Sequence, residues 1–175
     1  MRAVIVVMAL VLAGAARAEV VDVQPTGFEV RHVVAFDAPA AKVWAALSQI
    51  SAWWDSGHTW SGDARNLSIE LKAGGYWREA LPKSGGAVQH MQVVEVDPET
   101  TVRLEGGLGP LMLSGASGHM SWVLAGNDAH ATLTWTYDVG GYAKGGLDKL
   151  AAPVDAVLGA QANRLKHYVE TGKPD

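Results

Sequence analysis

The stretch that decides the fold is ATLTWTYDVGGYAKGGLDKLAAPVDAVLGAQANRLKHY, residues 131–168. Up to Val139 it alternates. Leu133, Trp135 and Tyr137 share one face, and Thr132, Thr134, Thr136 and Asp138 share the other. That period of two describes a strand with one buried and one wetted face. After Gly146 the period lengthens: Leu150, Val154, Val157, Leu158, Gln161, Leu165 and Tyr168 recur at helical spacing. Asp155, Asn163, Arg164 and Lys166 fall mostly between them, as on the wet face of an amphipathic helix. Pro153 stands near the helix start, and Gly172 and Pro174 supply the stop. The expectation is one long helix packed on an antiparallel sheet.

Upstream, the sequence repeats the strand signal many times. Phe28, Val30, His32, Val34 and Phe36 alternate with Glu29, Arg31, Val33 and Ala35, giving a first strand. Asp37 and Pro39 then open a helix with an apolar stripe of Val43, Trp44, Leu47 and Ile50. Runs at 67–71, 76–81, 88–96, 101–105, 117–124 and 131–139 follow, each bounded by Gly, Asn, Asp, Ser or Pro. Such spacing reads as consecutive antiparallel hairpins. Helices outside a continuous run of strands indicate α+β packing, with the sheet curved around the last helix and space for a cavity between them.

Between the first helix and the hairpins lies a block dense in rings and turns. Trp53-Trp54 precede His58-Thr59-Trp60-Ser61-Gly62-Asp63, and Gly74-Gly75-Tyr76-Trp77-Arg78-Glu79 precede His90-Met91. Large rings beside glycine turns suit the lining or roof of a hollow.

The N-terminus reads differently. Arg2, an apolar run from Ala3 to Leu12 and Ala16-Arg17-Ala18 before Glu19 have the form of a secretory signal peptide cut after Ala18. The apolar run is shorter than the roughly 20 residues of a membrane span. The expected organisation is therefore a signal peptide, 1–18, and a single domain, 19–175, placed in the periplasm or secreted. Losing Arg2 and Arg17 takes the formal net charge from −4 to −6. An acidic chain without a basic stripe speaks against nucleic acid as a partner. With no cysteine, neither disulfides nor a lipoprotein anchor are available.

At this point the chain resembles the SRPBCC, or START-like, superfamily with its helix-grip fold, and within it the members named for homology to the activator of the heat-shock-protein-90 ATPase. The matching residues are Asp37-Ala38-Pro39 with Val43-Trp44, the Trp53-Trp54 segment, Gly74-Gly75-Tyr76-Trp77, Val93 to Pro98, and the 150–170 helix. Segments 61–67, 108–111 and 139–142 are similar to a secreted bacterial subgroup. The resemblance implies a curved antiparallel sheet around a long C-terminal helix, with a cavity. Chaperone activation is not implied for an exported protein, because the cytosolic chaperone would be absent.

Candidate chemistry is sparse. Glu79 and His90 would stand directly opposite each other across a hairpin centred on Ser84-Gly85, with Cβ atoms about 4.5–5.5 Å apart. On the concave face they make a carboxylate orienting an imidazole, a ligand anchor or general base. On the other face they are an exposed ion pair. Lone His32, on an apolar face, reads as a hydrogen-bonded core residue, and His119 faces away from the core. His58, in the loop, either closes the cavity mouth or is solvated. No motif for a metal, nucleophile, phosphate or dinucleotide is present, so no cofactor and no metal are expected.

The expected ligand contacts are Trp54, His58, Glu79, His90, Met91, Trp122 and Tyr137, around a small apolar or amphipathic molecule. The alternatives are an enzyme of the polyketide cyclase or dehydratase kind and an interaction module of the cell envelope.

Overall fold

The alternating run at 131–139 extends into a longer strand, and Leu133, Trp135 and Tyr137 are all fully buried. It is one of eight strands in the computed structural model, which describes residues 17–175. In chain order these are β1 (Arg17–Gln24), β2 (Gly27–Phe36), β3 (Leu67–Ile69), β4 (Tyr76–Leu81), β5 (Gly86–Asp97), β6 (Thr101–Glu105), β7 (Gly115–Gly126) and β8 (Ala131–Tyr142). All pair antiparallel in one sheet, ordered β1-β2-β8-β7-β6-β5-β4-β3. From β3 onward the sheet is a meander, as consecutive hairpins require. The early pair β1–β2 closes onto β8, which brings the first and last strands of the reading side by side.

β1 lies outside the sequence expectation, which begins the sheet at Phe28. It is an edge strand in which Val21 and Val23 stay substantially exposed, so it lacks a buried alternating face. The signal-like segment as far as residue 16 lies outside the described residues. No described helix is long and apolar enough to cross a membrane.

The first helical segment is two pieces, α1 (Ala40–Leu47) and α2 (Ile50–Trp53). The expected stripe is buried at Val43, Leu47 and Ile50, but the backbone leaves helical geometry at Gln49. α3 spans Asp148–Thr171 and ends on Gly172, whose positive φ of 82° suits glycine. The curved sheet wraps α3. Leu158, Gln161, Ala162, Leu165 and Val169 bury its later turns, while Leu150, Val154 and Val157 of its earlier turns are only half-buried.

Around Trp135 the core is built of tryptophan. Trp122 and Trp135 meet edge to face with centroids 5.5 Å apart, and Trp53 contacts Trp135 in the same way at 6.3 Å. Such pairs add about 0.5–1.5 kcal/mol beyond the area they bury. The Trp53 indole donates to the Ala46 carbonyl at 2.8 Å, and Arg164 of α3 donates to the Trp53 carbonyl at 2.9 Å.

His32 lies within the apolar face of β2, as expected, and is buried. Its Nε2 is 3.1 Å from Asp155 Oδ1 of α3, in a contact without hydrogen-bond alignment. Burial lowers the pKa of the imidazole, and Asp155 opposes that only in part. His119, on β7, is exposed.

Candidate functional site

The β4–β5 hairpin is less symmetric than the sequence expectation. Glu79 pairs with Val88, not with His90, and Arg78 pairs with Gln89. Trp77 then pairs with Met91, so His90 is the extra residue of a β-bulge. The bulge puts two consecutive side chains, His90 and Met91, on the buried side. Through it His90 still meets Glu79, with Nε2 2.9 Å from Oε2. The direct opposition expected from the sequence is therefore wrong, yet the pair forms. Both members face inward, Glu79 being 0% and His90 7% exposed.

Glu79 does more than orient the imidazole. Its carboxylate accepts the backbone N–H of Trp60 at 3.1 Å and also that of Ser61. Burial pushes its pKa up, but these main-chain donors, helped by His90, outweigh burial and hold it below the usual carboxylate range. An ionised carboxylate only accepts, so His90 Nε2 carries the proton in this pair. Burial lowers the His90 pKa, with Glu79 opposing it, and the ring is neutral at pH 7 with a lone pair on Nδ1. This tautomer follows from the hydrogen-bond network.

The loop tied down by Glu79 forms one wall of a cavity of about 330 Å³. Trp54, His58, Thr59 and Trp60 stand on that side, and Leu67, Trp77 and His90 come from the sheet. Leu108 to Leu111 close a second wall. Leu150, Pro153, Val154, Val157 and Leu158 of α3 form the roof, which explains why those early turns are half-buried. Pockets for small ligands span roughly 300–1,000 Å³ and are mostly apolar with a few polar groups. This one fits the lower end.

Each wall is held by a polar tie. The Trp54 indole donates to the His58 carbonyl at 3.0 Å. Gln161, fully buried on α3, accepts the Asp55 N–H at 2.9 Å through Oε1. On the far side the Tyr137 hydroxyl donates to the Gly106 carbonyl at 2.9 Å and accepts the Leu108 N–H at 3.1 Å. Burial raises the Tyr137 pKa to about 12, so the hydroxyl stays neutral. Gly118 makes room for this ring, since a Cβ there would lie 2.4 Å from it.

Of the expected contacts, Trp54, His58 and His90 stand on the cavity wall. Glu79 stands behind His90. Met91, Trp122 and Tyr137 are buried but off the wall, and Tyr137 finds its partners in the main chain, not in a ligand. Trp60, Trp77, Leu108 and Leu111 are wall residues that the sequence expectation omits. So is the supporting Gln161, a polar side chain within an apolar helical stripe. That misplacement in the pattern is the signal that marks it. His58 is 41% exposed at its side chain and lies 3.3 Å from Asp55 Oδ2, which places it at the rim. Among the described residues no cluster of three or more His, Asp or Glu could hold a metal.

Comparison with known proteins agrees with this architecture. The chain is similar in structure to DynU16 of the dynemicin biosynthetic locus, with 25% identity and a TM-score of 0.57 over 83% of this chain and 48% of that one. It is similar to EF2215, a conserved protein of unknown function from Enterococcus faecalis, at 18% identity and a TM-score of 0.58, covering 90% and 78% of the two chains. It also resembles the Aha1 dimer from Colwellia psychrerythraea, at 17% identity and a TM-score of 0.58, covering 83% and 98%. No curated protein sequence matches it. The family described as polyketide cyclase / dehydrase and lipid transport matches residues 27–170, from the first residue of β2 to the last full turn of α3. The chain belongs to that family.

Proposed function

We propose that this protein binds a small apolar or amphipathic molecule in the cavity under the early turns of α3, with His90 as the polar anchor and Glu79 as its support. The observation that carries this reading is the contrast within one wall: an imidazole 7% exposed, backed by a buried carboxylate, set among aromatic and aliphatic side chains. Glu79 also braces the 60–61 loop, but His90 itself makes no such tie and presents its ring to the cavity wall. The family description, which names both cyclases and lipid transport, is consistent with such a ligand.

The signal-like residues 1–18 support export to the periplasm or outside the cell, and cleavage after Ala18 would leave β2 to β8 and α3 intact. Neither nucleic acid nor a membrane span enters this reading. Protein purified in its mature form from the native envelope, without denaturant, should carry a stoichiometric small molecule in native mass spectrometry. Empty protein that also fails to take up neutral apolar probes would overturn the reading.

One observation favours a second reading, an enzyme of the cyclase or dehydratase type. Neutral His90 with a proton-accepting Nδ1 at the wall of an apolar cavity is suited to general-base work on an acidic carbon. Turnover with a bell-shaped pH profile, lost in His90→Phe, would establish it.

A further inference from the structure

Between the half-buried roof residues Val154 and Val157, α3 sets the Asp155 carboxylate against His32 of β2, with Oδ1 3.1 Å from Nε2. Both atoms are buried, and neither has an aligned hydrogen-bond partner. The imidazole is 1% exposed and lies against the backbone of Gly159. A Cβ added at Gly159 would come within 3.0 Å of its Cε1 and 3.4 Å of its Nδ1. The helix thus shuts the ring in without satisfying it. Neither His32 nor Asp155 lines the cavity.

The helix over this contact carries two breakers. Pro153 stands inside α3 and has no N–H, so the Lys149 carbonyl goes without its helical donor. Gly159, further on, weakens the helix through its backbone freedom. Sharp bends in helices fall at such residues. The roof residues Pro153, Val154, Val157 and Leu158 lie at or between the two. On either side α3 is seated, by buried Leu147 and Ala151 before the span and by buried Gln161, Ala162 and Leu165 after it. The span 153–159 is therefore the part that can bow while both ends stay in place.

Charge decides when it does. An imidazolium has two N–H groups to donate, and the closed arrangement offers only the misaligned Asp155 oxygen. Burial disfavours the charged ring, and Asp155 is the one charged side chain among the described residues that favours it. The register partners of His32 are uncharged, Trp135 on β8 and Ala18 on β1. Glu29 and Arg31 of β2 pair with each other on the opposite face. Cleavage after Ala18 would add the Glu19 amine opposite Arg31, a cation acting in the same direction as burial. A state in which the ring meets water takes the proton more readily, so acid favours that state by linkage.

We infer that α3 is an acid-released roof. When His32 takes a proton, the helix bows outward between Pro153 and Gly159, the ring is hydrated and the cavity opens. The bowing stands on the His32–Asp155 contact and the two helix breakers. Only its effect on a ligand rests on the cavity-binding reading above.

The test is hydrogen–deuterium exchange of the full-length mature protein at pH 7.5 and 5.5, corrected for intrinsic rates. A group with an unfolded pKa of 6.5 can drive opening by at most about tenfold at pH 5.5. Amides of 154–159 are expected to exchange about threefold to tenfold faster at the lower pH, and those of 161–169 to change by less than about twofold. His32→Leu, which cannot titrate, should abolish the difference. Asp155→Asn keeps the ring and removes the carboxylate that favours its cation, so it should raise the response toward that ceiling. This second variant serves even if His32→Leu folds poorly. Unchanged or slower exchange at 154–159 on acidification, or an equal rise along all of α3, would overturn the inference. A smaller response in Asp155→Asn would do the same, as the mark of an ion pair that closes the roof. Affinity for N-phenyl-1-naphthylamine, neutral at both pH values, should fall by the same ratio as exchange rises. Binding at neither pH would strike the cavity reading, and the exchange data would still decide the bowing.

Discussion

The two halves of α3 cover two different interiors made from the same kinds of residue. On the side of the later turns, Trp135 meets both Trp53 and Trp122 edge to face, and Leu165 and Val169 of α3 are fully buried. Beneath the earlier turns, Leu150, Val154 and Val157 stand half-buried over a hollow of about 330 Å³. Apolar composition is alike in both. The difference lies in what braces the walls. In both halves rings touch rings, Trp54 and Trp77 of the cavity wall meeting edge to face at 4.9 Å. In the hollow half, polar ties to the main chain hold the walls apart: Glu79 to the 60–61 loop, Gln161 to Asp55, and Tyr137 to Gly106 and Leu108. A cavity needs such scaffolding, because an unbraced apolar hollow would collapse to recover lost contacts.

The comparison breaks most easily at Trp135. Trp135→Ala should cost about 3–5 kcal/mol, through lost transfer energy and an unfilled void. For a chain of this size that corresponds to a melting temperature lower by about 10 °C. Thermal unfolding followed by circular dichroism checks it. Trimming Val157 to Ala, in the hollow half, should cost below about 1 kcal/mol. Equal losses at the two sites would show that the halves are packed alike.

Glu79→Ala should come next. It removes a buried acceptor from two main-chain N–H groups and from His90, a loss of about 2–3 kcal/mol in urea unfolding. His90→Ala, which leaves the loop contacts in place, should cost less. A reversed order would remove Glu79 from its bracing role.

A smaller effect is expected from pH. Burial holds His32 and His90 below their unfolded pKa of 6.5, so the unfolded chain binds their protons first. The stability they contribute is complete above pH 6.5 and declines as pH falls through their folded values. Glu79, held below 4.5, adds a second loss at still lower pH, as protons reach the unfolded carboxylate before the folded one. Urea midpoints at pH 7.5 and 5.5 should therefore fall on acidification, and less steeply in His90→Phe. A midpoint that stays level or rises would contradict the neutral, buried state of both rings.

The fold was legible because its signals are periodic. Alternation in β8 and β2, glycine punctuation of the meander and the stripe of α3 each follow from burying one face of a regular element. β1 escaped notice because an exposed edge strand leaves no such pattern, and its start adjoins a signal-like run. The continuous helix expected through Ile50 is interrupted because Gln49 leaves helical geometry, a local event with no periodic mark. At the site, the partners Glu79 and His90 were legible while their register was not. A bulge inserts one residue without any characteristic residue type, and here it decides which way His90 points. Which rings pack and which line a hollow was equally hidden. Trp77 and Trp135 look alike in sequence, and only the tertiary position of α3 separates them.

The most direct test fills the hollow. Val157→Phe places a ring under the early turns of α3, where the space exists. Binding of N-phenyl-1-naphthylamine, a neutral fluorescent apolar probe, is measured for the variant and the unaltered protein alongside their melting temperatures. The prediction is saturable one-to-one binding to the unaltered protein, and at least a tenfold weaker affinity in the variant at a melting temperature within about 2–3 °C. Undiminished binding in a folded Val157→Phe protein would place the ligand elsewhere and contradict the account.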